Sequence, residues 1–268
     1  MKEPFLNPLP RIVAHRGDSH AYPENTLEAF ISAHKMGVDV IETDVHLTKD
    51  NHIIVWHDPT LERNTNGSGL VENYTLKELK QLDAGYTFTP DGGKTFPFRN
   101  TGIKMTTLDE ALQALPDQRF NVDLKSKEEG IVDAFEEVVK RHNAEERILC
   151  ASFHLTHLKR MREQNKSILT SLTTLEVIPL LLKQKLRILP KELGNKHTIV
   201  FQVPVEQWGI KVITSDFVKQ FHKRGAVIQV WTINDEDQMR QLYALGVDSI
   251  MTDNPELLLK VAKEFSFR

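Results

Sequence analysis

Seven side chains could do chemistry together: His15, Arg16, Glu42, Asp44, His57, Asp123 and Lys125. In a strand, residues i and i+2 share a face. Glu42 and Asp44, in Ile41-Glu42-Thr43-Asp44-Val45, therefore point the same way, and Asp123 and Lys125 do so in Asn121-Val122-Asp123-Leu124-Lys125. His15 ends the apolar run Ile12-Val13-Ala14 and is followed by Arg16-Gly17, and His57 ends Ile53-Ile54-Val55-Trp56. Burying unpaired carboxylates costs several kcal/mol each. A divalent cation would neutralise the Glu42, Asp44 and Asp123 set. Oxygen-only ligands suit a hard ion such as Mg²⁺ or Ca²⁺ rather than Zn²⁺. Two histidines beside such a site suit general acid and base work near neutral pH. Arg16 and Lys125 add positive charge for an anion, most naturally phosphate. Jointly these residues describe metal-assisted cleavage of a phosphate ester.

Each also has a plain structural reading. A strand-end histidine can be a hydrogen-bonding brace, Glu42-x-Asp44 a salt-bridge anchor, and Lys125 a partner for Asp123 alone. Trp231, in Trp231-Thr232-Ile233-Asn234, either stacks on a substrate or packs in the core. Asp253 is read as helping the turn into the last helix. Cys150 lies in an apolar strand, where a thiol is inert.

The elements that must position these residues alternate along the chain. Strands are expected at Ile12–Ala14, Val40–Val45, Arg119–Lys125, Ile148–Ser152, Ile168–Leu172, Thr198–Val203, Val227–Thr232 and Ser249–Thr252. Helical spacing lies between them, near 107–115, 129–142, 155–164, 175–187, 214–224, 235–245 and 255–264, with an earlier helix capped by Asn25 and ended at Gly37. His52–His57 follows Val45–Thr48 after only Lys49-Asp50-Asn51. A parallel crossover needs a dozen or more residues, so this pair is an antiparallel hairpin turning on Asp50-Asn51. Eight parallel strands remain, each with a helix, which is the count of an α/β TIM (β/α)₈ barrel. The alternative, an open doubly wound sheet, lacks a G-x-G-x-x-G after the first strand. Residues 59–106 hold six of the thirteen glycines and a capping box, Thr75 with Glu78, for one small helix ending near Gly85. They read as a small inserted subdomain after the second strand, within a single domain of residues 1–268.

Composition narrows the field. Thirty-four Lys and Arg against 37 Asp and Glu give a net charge of −3 with no block of like charge, which argues against a nucleic-acid partner. A single Cys excludes an internal disulfide framework. No apolar segment approaches the roughly 20 residues of a transmembrane helix, so no stable membrane insertion is expected. The stretch 179–187 is apolar and basic; it reads either as a membrane-touching segment or as an ordinary barrel helix. MKEPFLNPLP has no apolar signal core, so the expected location is cytoplasmic. Nothing in the sequence specifies an oligomeric state.

The motifs together resemble the glycerophosphodiester phosphodiesterase family. They are Ala14-His15-Arg16-Gly17, Pro23-Glu24-Asn25-Thr26, Ile41–Val45, Thr48-Lys49-Asp50 leading to Trp56-His57-Asp58, Leu61-Glu62-Arg63 with Thr65-Asn66-Gly67, Asn121–Lys125, Ser152-Phe153, Val230–Asn234, Gly246-Val247-Asp248 and Thr252-Asp253-Asn254-Pro255. They follow in family order over nearly the whole chain. The resemblance implies a TIM barrel with an inserted subdomain. It implies hydrolysis of small-molecule glycerophosphodiesters to glycerol 3-phosphate and an alcohol. By position, Glu42, Asp44 and Asp123 match the metal ligands, for one Mg²⁺ or Ca²⁺, and His15 and His57 match the acid/base pair. Arg16 and Lys125 match phosphate contacts, and Trp231 matches a residue lining the substrate end of the site. Asp123 stands where the family often has Glu. The implied mechanism has the glycerol 2-hydroxyl attack phosphorus, giving a cyclic phosphate that water then opens. Lysophospholipase D activity, on substrates carrying an acyl chain, is the alternative. A catalytically dead, phosphodiester-binding barrel would lack a histidine or a carboxylate, and this chain keeps His15, His57, Glu42 and Asp44.

Overall fold

Parallel strands covered on both faces need apolar residues at successive positions, and the helices over them need one apolar stripe. The computed structural model describes residues 3–193 and 198–267; positions 1, 2, 194–197 and 268 of the expected 1–268 domain lie outside the described residues. The strands are β1 (Ile12–His15), β2 (Val40–Leu47), β3 (Ile53–Val55), β4 (Arg119–Leu124), β5 (Ile148–Ala151), β6 (Leu169–Thr170), β7 (Val200–Val203), β8 (Glu206–Gln207), β9 (Ile210–Lys211), β10 (Val227–Val230) and β11 (Ser249–Thr252). The helices are α1 (Leu27–Met36), α2 (Leu76–Leu79), α3 (Leu108–Ala114), α4 (Gly130–Arg141), α5 (Leu155–Gln164), α6 (Thr174–Lys185), α7 (Ser215–His222), α8 (Glu236–Leu245) and α9 (Pro255–Glu264).

Eight strands run parallel in the order β6-β5-β4-β2-β1-β11-β10-β7. A parallel bridge between Ser171 and Val200 joins the two ends, and the sheet is a nearly closed (β/α)₈ barrel. β3 folds back antiparallel on β2, with Val45 opposite Val55. Asn51 makes that turn in the left-handed region, at φ 62°.

Alternation along the strands builds two layers of core. Ile12, Ala14, Ile41, Val45, Val122, Cys150, Ile228 and Ile250 face the helices in the main apolar cluster. Burial pushes the Cys150 thiol pKa up, which leaves it inert. Val13, Val40, Leu149, Leu169, Val200, Val227 and Met251 fill the barrel interior, closed below by Phe5. Two or four residues further along, the inward positions become His15, Glu42, Asp44, Ser171, Gln202, Gln229, Trp231 and Asp253. The barrel is therefore apolar at its base and polar at its C-terminal mouth, where the active sites of this architecture lie.

Several local expectations are corrected. Thr26, not Asn25, caps α1, its hydroxyl accepting from the Ala29 N–H (3.3 Å). Asn25 instead takes φ 58° and turns inward. The capping box of Thr75 and Glu78 is present, but α2 stops at Leu79. Gly85 lies against Phe98, where a Cβ would meet the Phe98 carbonyl oxygen at 2.6 Å. The β8–β9 hairpin was not foreseen; it turns through Trp208 and Gly209, both at positive φ (51° and 72°). The residues between β3 and α3 pack Trp56, Leu61, Val71, Leu79, Ala84, Ile103 and Met105 in their own apolar cluster with Ile54.

Candidate active site

The β1–β2–β4 pairing brings the predicted residues together. His15 is in register with Glu42, Glu42 with Asn121, and Asp44 with Asp123. β3 runs beside the upper part of β2, and the Trp56 N–H donates to the Asp44 carbonyl (2.9 Å), which delivers His57 to the same mouth. His15, Arg16, Glu42, Asp44, His57, Asp123, Lys125 and Trp231 all line one cavity of about 780 Å³.

Both histidines are held through Nδ1. His15 Nδ1–H donates to Asp253 Oδ1 (2.6 Å), and His57 Nδ1–H donates to Asp58 Oδ1 (2.7 Å). This leaves each Nε2 for the cavity; that of His15 is 3.9 Å from Glu42 Oε2. Burial alone would lower the His15 pKa, but the bond to Asp253 and the Glu42 charge hold it above its ordinary value. Asp253 is in turn fixed by Asn234 Nδ2 (2.6 Å) and Ser19 Oγ (3.3 Å). Burial opposes ionisation of Asp58, yet Arg63 and His57 hold its pKa down at about 2. Arg63 also clamps Glu24 (2.7 Å), which pairs with Arg16 Nη1 (2.9 Å). His46, which the sequence left without a role, donates from Nε2 to the His57 carbonyl (3.2 Å).

The carboxylates divide by their surroundings. Asp44 is compensated. Burial would raise its pKa, but Lys125 Nζ (3.0 Å from Oδ1), Arg16 Nε (3.2 Å from Oδ2) and the Asn25 amide (3.1 Å) hold it below the usual range. Asn25 is itself fixed by the Thr43 hydroxyl (2.7 Å). Glu42 is not compensated: burial, then the Asp44 charge, pushes its pKa well above the ordinary range. Burial likewise raises Asp123 despite Lys125 Nζ at 2.6 Å. Lys125 thus pairs with both aspartates, and its pKa is raised against the effect of its own burial. Lys125 therefore does pair with Asp123, but not with Asp123 alone.

Two buried oxygens, Asn121 Oδ1 and Asp123 Oδ1, have no hydrogen-bond partner. Each is an electron-pair donor on β4 facing the carboxylates of β2, Asn121 in register with Glu42 and Asp123 with Asp44. This donor set fits a hard, oxygen-seeking ion. Among the described residues no three His, Cys, Asp or Glu side chains already converge as a finished ion site, and Lys125 supplies the local positive charge.

Asp253, Asp58, Asn25 and Asn121 were not among the predicted site residues. Parity held the signal for two of them. Asn121 precedes Asp123 by two, and Asp253 follows Met251 by two, on strands whose inward faces were known.

A model of the glycerophosphoryl diester phosphodiesterase family matches residues 15–257. A glycerophosphodiester phosphodiesterase of Caldanaerobacter subterraneus is 34% identical over 94% of this chain and 98% of its own. A phosphodiesterase of Oleispira antarctica, solved with its product sn-glycerol-3-phosphate, superposes with a TM-score of 0.76 at 26% identity, covering 96% of this chain and 98% of that one. A human lysophospholipase D is 23% identical over 99% of this chain and 89% of its own. The fold and the site define a barrel hydrolase of phosphoric diesters. The chain belongs to the glycerophosphoryl diester phosphodiesterase family.

Proposed function

We propose that the chain hydrolyses glycerophosphodiesters to glycerol 3-phosphate and an alcohol by two-histidine acid/base catalysis with a divalent cation. The observation that carries this is the pair of carboxylate-held imidazoles opening onto one buried, cation-deficient carboxylate cluster. Arg16 and Lys125 hold the phosphate, and Trp231 forms part of the wall beside it. One imidazole takes the proton of the glycerol 2-hydroxyl as that oxygen attacks phosphorus. The other protonates the departing alcohol. Water opens the cyclic phosphate with the roles exchanged. Glu42, Asp44 and Asp123, with Asn121 Oδ1 beside them, would hold Mg²⁺ or Ca²⁺, which supplies charge that acidifies the hydroxyl and steadies the phosphoryl oxygens. Residues 59–106 act as an inserted subdomain whose Arg63 braces Asp58 and Glu24. The test is release of glycerol 3-phosphate from glycerophosphocholine. Activity is expected to vanish in excess EDTA and to return with Mg²⁺ or Ca²⁺; full turnover of metal-stripped protein would remove the ion from the scheme.

A second reading rests on the other half of the cavity. Beyond the phosphate site its wall is apolar, with Leu172, Val177, Ile178, Leu181 and Val212. Its volume of about 780 Å³ lies in the upper part of the roughly 300–1,000 Å³ range of sites that enclose a whole ligand. That lobe suits a glycerophosphodiester whose glycerol carries an apolar chain, a lysophospholipid.

A further inference from the structure

Helix α6 is apolar outward as well as inward. Its inner side carries Val177, Leu180 and Leu181 against the core, with the polar Gln184, whose amide donates to Asp216 (2.5 Å). Its outward side carries leucines. Leu175, Leu182 and Leu186, at i, i+7 and i+11, fall within about 20° of one line along the helix, and each is more than half exposed. Lys183 and Lys185 lie about 80° to either side of that line. Ile188 follows, equally bare, after Arg187. Facing α6 across the cavity mouth is the β8–β9 hairpin, since Leu182, Lys185, Trp208 and Ile210 line the same opening. Trp208 sits at the hairpin tip and is 74% exposed.

An outward apolar stripe normally marks a contact surface. Charge chooses the partner here. Lys183, Lys185, Arg187 and Lys211 are exposed, and none is ion-paired among the described residues. The exposed acids beside them are Glu192, Glu206 and Asp216, the last already engaged by the Gln184 amide. Leucines flanked by lysines, whose long stems let the ammonium reach outward, form the pattern of a helix lying in a lipid interface. A tryptophan at the same rim is the residue type that settles at headgroup depth.

We propose that α6 and the β8–β9 hairpin form a docking surface for an anionic lipid bilayer, applying the mouth of the cavity to the membrane. No helix of the described residues is long and apolar enough to cross a membrane, so the contact is peripheral. The proposal does not depend on which diester is cleaved, because binding and turnover are read separately.

The test is co-sedimentation of the full chain with vesicles of phosphatidylcholine, with and without phosphatidylglycerol. Binding is expected on the anionic vesicles, to weaken with salt, and to shift Trp208 emission to the blue in a way that W208F abolishes. L186S/I188S, two positions outside the cavity wall, should lose binding while turnover of water-soluble glycerophosphocholine stays normal. K183Q/R187Q leaves every leucine in place and should weaken anionic binding by about tenfold or more. The proposal fails if the chain ignores anionic vesicles, or if L186S/I188S, folded as its turnover shows, binds as well as the parent. It also fails if those substitutions instead abolish self-association of a chain that binds no vesicle, which would make the stripe an interface between copies.

Discussion

A histidine works as acid or base through one nitrogen, and the partner on the other nitrogen decides which one and at what pH. Here both partners are carboxylates, Asp253 for His15 and Asp58 for His57. His15→Ala and His57→Ala are each expected to lower kcat by about 10²–10⁴-fold, the span of a general acid or base, with the fold retained in circular dichroism. A folded variant with near-normal kcat would return that histidine to a bracing role. On the proposed scheme Asp253 would act through His15, as a positioning residue. Asp253 raises the His15 pKa, so Asp253→Asn should lower it and move the His15 limb of the kcat/KM profile to lower pH. A purely structural loss would reduce activity without moving the limb. The role of the glycerol 2-hydroxyl is separable from all of these. A substrate with hydrogen at that carbon keeps its charge and leaving group, so Arg16 and Lys125 should still bind it if they hold the phosphate. As an internal nucleophile the hydroxyl supplies several kcal/mol of the barrier. The analogue should therefore bind as a weak competitive inhibitor and release its alcohol at least about 10³-fold more slowly in single turnover. Comparable rates would point to direct attack by water.

At the scale of elements, the β1–α1 junction shows how tightly the site is tied to the barrel. Arg16 sits at φ 58°, its backbone N–H donating to the Glu42 carbonyl (2.9 Å), and Gly17 follows at φ 83°. A Cβ on Gly17 would meet the Ala29 backbone at 2.8 Å. Gly17→Ala should destabilise by about 1–3 kcal/mol, the usual cost of overpacking, and raise KM by displacing Arg16. Unchanged thermal unfolding and KM would contradict this. The elements around that junction were legible because apolar period and turn chemistry agree there: all eight barrel strands and the β2–β3 hairpin were read from them. Positions fixed by distant contacts were not. Asn25 looks like a helix cap until Asp44 is seen beside it. Asp253 looks like a turn residue until β11 is laid against β1. The β8 and β9 strands have two residues each, all exposed, so no buried apolar face marks them. The stretch 179–187 had the period of a barrel helix, and its polarity was visible only once the barrel showed which side faced in.

For the whole molecule, the barrel joins two environments in one opening: a charged floor on β1, β2 and β4, and an apolar lobe beside the seam between β6 and β7. At that seam the two end strands share the Ser171–Val200 bridge, and α6, the next element, lines the cavity directly. On the proposed function, the floor would cleave a glycerophosphodiester and the lobe would decide what its glycerol may carry. This can be measured with 1-O-alkyl ethers of glycerophosphocholine of increasing length, kept below their micelle concentrations so that only monomers are seen. Choline is the product throughout, so one assay covers the series. Each methylene that enters the lobe should contribute up to about 0.8 kcal/mol, about fourfold in kcat/KM, until the lobe is full. Ile178→Trp, which narrows the lobe, should flatten the series at shorter chains while glycerophosphocholine itself is cleaved as before. A series flat from the first methylene, or falling steadily, would mean that the apolar wall meets only the carbons of glycerol and that the chain works on unacylated diesters alone.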